Sequence, residues 1–151
     1  MTVPAAVAHG GAGPGPPRQE NVEAAIARAA DILEAGGSAV EAAVEACVIL
    51  EDDPVFNAGT GAVYRTDGSV LLDASLQTSD GRMGFVIAMR DTPNPIRVAA
   101  DLLDEEINGL AGDGARTWAN SKGHPKAAVE GRPPRAGVGD TVGVIARDST
   151  G

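Results

Sequence analysis

Gly139-Asp140-Thr141-Val142-Gly143-Val144-Ile145 sets a threonine between a flexible Gly-Asp pair and an apolar run with strand character. If the Asp140–Thr141 bond were broken, Thr141 would carry a hydroxyl and a free α-amine on one residue. That couples a nucleophile to its own base, a known form of covalent catalysis. Short Gly-Asp-Thr runs also occur in ordinary turns leading into strands, so the surrounding sequence has to decide between the two.

The 151-residue chain has the length of one ordinary domain, and 43% apolar residues suit a globular core rather than disorder. Aromatics make up only 3% while Gly reaches 20 and Pro 10, so packing must rest on Ala, Val, Leu and Ile between many sharp turns. A net charge of −9 repels phosphate backbones and anionic lipid surfaces. The expected partner is therefore a small molecule or a protein, not nucleic acid or membrane. No stretch approaches the roughly 20 apolar residues of a membrane-spanning helix. Cys47 is the only cysteine and falls on the apolar face of a predicted helix, as expected of a buried thiol in a reducing compartment. Residues 1–9 lack the charged region and long apolar run of a secretion signal and read as a first strand. Together these features place the chain in the cytoplasm.

After a strand over 3–8, the run His9-Gly10-Gly11-Ala12-Gly13-Pro14-Gly15-Pro16-Pro17 requires a loop. Val22, Ala25, Ile26, Ala29, Ile32 and Leu33 then recur at helical spacing, and Gly36-Gly37 provides a left-handed stop. Ser38 and Glu41 form a capping box for a second helix with a buried face of Val40, Ala43, Val44, Cys47 and Val48. The two helices are expected to pack as one layer. Pro54 and Asn57-Ala58-Gly59-Thr60-Gly61 make a turn-rich passage, followed by strand signals at 62–65, 69–76 and 84–90 that read as an antiparallel meander. Asn94-Pro95 opens a helix carrying Ile96, Val98, Ala99, Leu102 and Leu103, and Asp113 is placed to cap a short helix containing Trp118. Periodicity vanishes over 120–139, which reads as a mobile linker before a last strand at 142–147. Helices between groups of strands predict a layered sheet-and-helix domain of the α+β kind rather than alternating βαβ units. The apolar edge of the last strand would need further strands to cover it.

Other constellations carry less. With Gly11 and Gly13 as the first two glycines of Gly-x-Gly-x-x-Gly, the third position is Pro16, so the loop after the first strand is no dinucleotide fingerprint. Glu51-Asp52-Asp53 lacks EF-hand spacing and reads as a solvated acidic turn rather than a divalent-metal site. His9 and His124 have no ligand spacing with Cys47.

Taken together, His9-Gly10-Gly11-Ala12-Gly13, the block Leu50-Glu51-Asp52-Asp53-Pro54-Val55-Phe56-Asn57-Ala58-Gly59-Thr60-Gly61, Asp73-Ala74-Ser75, Asn94-Pro95-Ile96 and Asp140-Thr141-Val142-Gly143 occur in the order found in plant-type asparaginases, also called isoaspartyl peptidases. The chain resembles that family over nearly its whole length. The resemblance implies an N-terminal-nucleophile hydrolase with a four-layer αββα fold, made as a precursor that cleaves itself into α and β subunits. Residues 1–140 would form the α region and 141–151 the start of β, leaving the fold incomplete in this chain.

By the same resemblance Thr141 is the nucleophile, freed by cleavage of the Asp140–Thr141 bond. Asn57 lies beside it, and Gly10 and Gly11 belong to a loop positioning the scissile bond. The backbone carbonyls of Leu50, Glu51, Asp53, Phe56, Ala58 and Thr60 look like the family's sodium-binding loop; no organic cofactor is implied. The substrates would be L-asparagine or β-aspartyl dipeptides, and the assembly (αβ)2 with the remaining β subunit. Most plant-type members have Gly before the threonine, and Asp140 is instead similar to glycosylasparaginases and a threonine endopeptidase of the same superfamily. The family's substrate-binding arginine and aspartate, second threonine and oxyanion segment belong to the rest of β. The alternatives are thus a glycosylasparaginase-like amidase, or a non-catalytic subunit or inactive fragment.

Overall fold

The computed structural model describes residues 2–13, 17–134 and 141–151. Strand β1 (Ala5–His9) pairs antiparallel with β5 (Gly143–Arg147), in a register running from Ala5↔Arg147 to His9↔Gly143. Helices α1 (Gln19–Glu34) and α2 (Ala39–Asp52) cover one face of this sheet. Ala6, Ala8, Val144 and Ala146 pack there against Ala25, Ala29, Ile32, Leu33, Ala42, Ala46, Leu50 and Phe56. The small alanines let the helices approach closely, and the fully buried Leu50 contributes roughly 1.5–3 kcal/mol relative to exposure.

Local signals determine both helix ends in this layer. Gly36 has φ +84°, and the Gly37 amide donates to the Ile32 carbonyl at 2.8 Å, closing α1 with the expected left-handed turn. Ser38 accepts the Glu41 amide at 3.1 Å and starts α2. A contact distant in sequence reinforces this start: Asp148, just past β5, accepts the Ala39 amide through Oδ2 at 2.8 Å. Hydrogen bonds from the Thr150 hydroxyl and then from the Ala39 amide hold the Asp148 carboxyl down at about 2. The end of β5 is thereby tied to the first turn of α2.

A second sheet has the order β2 (Leu72–Gln77), β3 (Met83–Met89), β4 (Gly109–Ala111). The first pair is antiparallel and the second parallel. Helices α3 (Pro95–Asp101) and α4 (Gly112–Ser121) cover one face, with Val86, Met89, Val98, Leu102, Ala115 and Ala119 as its core. α2 joins the two halves. Its Ala42, Ala46 and Leu50 belong to the first core, whereas Val44 and Val48 pack with Ile96 and Ala99 of α3. The sequence shows one buried face for α2; the helix has two, because it lies between neighbours on both sides.

Several expectations need correction. Residues 62–65 are not a strand: only Val63 makes a bridge, parallel to Arg132, and the Arg65 amide turns back to the Ser69 carbonyl. The Val63 amide that a ladder would use is taken by the Asn57 side chain. Strand β4 is absent from the sequence reading, since three residues are too few to show alternation. Its parallel pairing with β3 through α3 makes a βαβ unit, a topology that the sequence reading had set aside. A Cβ at Gly109 would fall 2.1 Å from the Phe85 ring, so any larger residue there would have to displace that ring. Asp113 lies within the first turn of α4 and makes no side-chain cap; the cap position is Ala111.

The segment approaching Thr141 is anchored in two places. Arg116, only 6% exposed, donates to Asn120, Thr92 and the carbonyls of Asp91, Pro125 and His124, all neutral acceptors. Further on, Arg132 exchanges backbone bonds with Ala62 and Tyr64, and its side chain donates to the Gly61 carbonyl at 2.7 Å. Arg116→Ala should lower unfolding free energy by about 2–3 kcal/mol in urea melts, since the buried acceptors lose a charged donor. A change near zero would show that water replaces the guanidinium.

Candidate active site

Pro54 stops α2 from continuing, and the chain turns through residues 54–58 into a 3₁₀ turn, Gly59–Gly61. Asn57 sits half-buried in this turn, with Oδ1 accepting the Val63 amide at 2.8 Å, so its side chain is fixed by the backbone six residues later. The preceding Phe56 is 1% exposed. A Cβ on Gly10 would fall 2.2 Å from its ring, so the loop after β1 lies directly on the residue before Asn57. Gly11 has φ +105°, a conformation glycine adopts without strain.

The register of the first sheet ends on His9↔Gly143. The Gly10-Gly11 loop therefore leaves β1 at the same end of the sheet at which Thr141 leads into β5. Asn57 and the exposed Thr141 both line a cleft of about 1050 Å³, bounded also by Cys47 and Glu51 of α2, Asp73 and Ser75 of β2, and Phe85 and Ile87 of β3. Residues distant in sequence, Gly10, Asn57 and Thr141, are thus gathered at one end of the β1–β5 sheet. Asp140 lies outside the described residues.

The three acids of the triplet take different partners. Asp52 is exposed and accepts from Asn94 at 2.9 Å, while Asp53 accepts from Asn21 at 2.7 Å and from the Val55 amide at 3.0 Å. Glu51 corrects the reading of a solvated turn. It is 3% exposed, and its Oε1 accepts the Ile96 amide at 3.1 Å, capping α3 from α2 in place of Asn94. Among the described residues Oε2 has no partner. Burial pushes the Glu51 carboxyl up to about 8, against the lowering effect of the Ile96 amide. Cys47, one turn earlier, is partly buried, and desolvation with the nearby Glu51 raises its thiol to about 12. Such a thiol is a poor nucleophile near neutral pH.

The turn also packs carbonyl oxygens closely. A Cβ at Gly59 would lie 2.4 Å from the Glu51 carbonyl oxygen and 2.5 Å from that of Pro93; one at Gly61 would lie 2.1 Å from that of Phe56. Of the other carbonyls named for sodium, Asp53 accepts the Phe56 amide and Ala58 the Gly61 amide, each keeping a second lone pair. Neutral oxygen donors of this kind suit a hard monovalent cation. No cluster of three or more His, Cys, Asp or Glu able to hold a metal occurs among the described residues.

Two features of the site were not assigned a role from sequence. Asp73 accepts the Ala88 amide at 2.7 Å where Ala88 has φ +53° and the β2–β3 register shifts, so it stabilises an irregular strand at the cleft wall. The Glu51 side chain was legible only as one acid among three, because nothing local distinguishes the carboxyl that is buried. No helix among the described residues is long and apolar enough to cross a membrane.

Residues 3–131 match the family model described as Asparaginase. Three curated proteins named isoaspartyl peptidase/L-asparaginase illustrate the similarity. That of Macaca fascicularis is 43% identical over 136 residues, covering 84% of this chain and 44% of the relative. That of Homo sapiens is 42% identical over 136 residues, with the same 84% and 44% coverage. That of Synechocystis sp. is 39% identical over 103 residues, covering 67% of this chain and 31% of the relative. The chain thus spans less than half the length of the curated relatives it matches.

Proposed function

Because this chain belongs to the asparaginase family, we propose that it supplies the nucleophile-bearing part of a threonine-dependent amidohydrolase acting on L-asparagine or β-aspartyl dipeptides. One observation carries the reading: Asn57 and Thr141 line a single cleft, with the Gly10 loop packed on Phe56 beside it. In the maturation step the Thr141 hydroxyl oxygen attacks the Asp140 carbonyl carbon, the peptide C–N bond breaks and the amine takes the proton. Water then hydrolyses the ester, releasing the Asp140 carboxylate and restoring the Thr141 hydroxyl beside the α-amine that C–N cleavage has freed. With a reference pKa of about 7.7–8.0, that amine is partly neutral near pH 7 and can accept the hydroxyl proton during turnover. Attack on a side-chain amide expels ammonia and leaves a β-aspartyl ester, which water cleaves to aspartate.

The remaining site parts fall outside these 151 residues in this reading: the anion-binding and oxyanion groups come from further β strands of a four-layer αββα sandwich, assembled as (αβ)2 in the cytoplasm. The outward face of the first sheet supports such stacking. It carries the cross-strand pair Val7 and Ile145, 66% and 76% exposed, an apolar surface of the kind that packs in a complete fold. Intact mass and N-terminal sequencing of the full-length product test the proposal. A new N-terminus at Thr141, with ammonia release from asparagine, supports it; cleavage elsewhere, or full activity in an uncut chain, overturns it.

A sodium ion bound through the carbonyls of Leu50, Glu51, Asp53, Phe56, Ala58 and Thr60 would hold the loop that carries Asn57 in place. Asp52→Asn should then leave sodium affinity within about twofold in thermal shifts against choline chloride, because the Asp52 carboxylate is exposed and engages Asn94. A large loss of affinity would mean that a carboxylate binds the ion.

A further inference from the structure

We propose that the His9 imidazole is a positioning residue for Thr141, clamping the glycine loop to the start of β5. The proposal rests on Thr141 being the nucleophile. His9 stands opposite Gly143 in the antiparallel ladder, two residues after Thr141. Its ring covers the glycine backbone: a Cβ at Gly143 would lie 2.4 Å from Nε2 and 2.9 Å from Cδ2. An aromatic ring over a cross-strand glycine is a recognised way to fix strand pairing. The same ring turns its other nitrogen to the loop, where Nδ1 accepts the Gly11 amide at 3.2 Å.

Gly10, between these two contacts, is pressed on its other side against Phe56, the neighbour of Asn57. The loop is therefore held between two rings. Phe56 connects it to the turn that carries Asn57, and His9 connects it to the strand that Thr141 leads into. Removing the Phe56 side of this arrangement would open the first core, since that ring is buried. Removing the imidazole would leave the first core intact, because His9 is not part of it, and would release the loop from the strand. Small displacements of reacting groups can cost up to about 100-fold in rate, and His9 is placed to prevent one between Gly10-Gly11 and the strand that Thr141 leads into.

The test uses the full-length protein with His9→Ala, His9→Asn, Gly143→Ala and the double variant. It measures the rate of Asp140–Thr141 cleavage by mass spectrometry, and kcat per cleaved chain and KM for asparagine. We expect His9→Ala to slow cleavage and kcat roughly 10- to 100-fold with KM changed by less than about threefold. His9→Asn, whose amide oxygen can accept where Nδ1 does, should recover most of the loss. Gly143→Ala should imitate His9→Ala by displacing the ring, and should add nothing in the His9→Ala background, where that space is empty. Parental rates in His9→Ala would overturn the proposal, as would strictly additive effects. Equal losses in His9→Ala and His9→Asn, in step with lowered melting temperatures, would reduce His9 to packing and overturn it as well. Turnover by a Thr141→Ala variant would instead sink the nucleophile assignment, so the two failures are distinguishable.

Discussion

Thr141→Ala in the full-length protein is expected to abolish both chain cleavage after Asp140 and amide hydrolysis, with turnover falling by roughly 10⁴-fold or more. In the proposed mechanism one hydroxyl serves both steps, and Cys47, which lines the same cleft, is no substitute because its thiol is raised to about 12 and stays protonated. Thr141→Ser should retain part of each activity because the hydroxyl survives. It should still be slower, since serine lacks the γ-methyl that restricts threonine to few rotamers. N-terminal sequencing and ammonia release from asparagine read both outcomes. An alanine variant that still cleaves at this bond would transfer the nucleophile's role to another residue.

Glu51→Ala should be the most disruptive change among the acidic residues of the loop, lowering stability by about 2–3 kcal/mol in urea melts. It leaves the buried Ile96 amide without its acceptor and opens space between α2 and α3. Glu51→Gln keeps an acceptor and the shape, so its effect should be smaller and should depend on pH. In the folded protein burial raises the carboxyl from its ordinary 4.5 to about 8. Its contribution is therefore complete below about pH 4.5 and is lost as pH rises through about 8. Over that window the parental protein should lose up to about 1.4 kcal/mol per pH unit from this group, whereas the glutamine variant should lack that slope. Urea melts at pH 5 and pH 8 decide it: parallel stability changes in both proteins would show that Glu51 does not stay protonated in the fold.

The parts of this fold that could be read along the chain are those determined by neighbours in sequence. The α1 stop at Gly36 and the Ser38 cap depend on backbone conformation and on bonds a few residues long, and Pro95 marks the start of α3 locally although its Ile96 amide finds an acceptor only on Glu51 of α2. The motifs that place Gly10, Asn57 and Thr141 were equally legible, because the residue types and their order are preserved in the sequence itself. Elements whose identity depends on distant partners were misread. Residues 62–65 have strand composition but give the Val63 amide to Asn57, and β4 exists only because β3 is there to pair with it.

The same division runs through the candidate site. The sequence by itself determined family membership, the packing of α1 and α2 as one layer, and the threonine, asparagine and glycines on which the proposed chemistry depends. Only the tertiary structure decided which groups share a cleft, that α2 is buried on two sides, that His9 covers Gly143, and which member of Glu51-Asp52-Asp53 loses its water. The reason is physical: capping and turn formation are short-range and act on residues within about one helical turn. Burial, cross-strand contact and desolvation depend on what the rest of the chain brings alongside, so three adjacent acids that look alike in sequence become one buried cap, one exposed carboxylate and one half-buried acceptor.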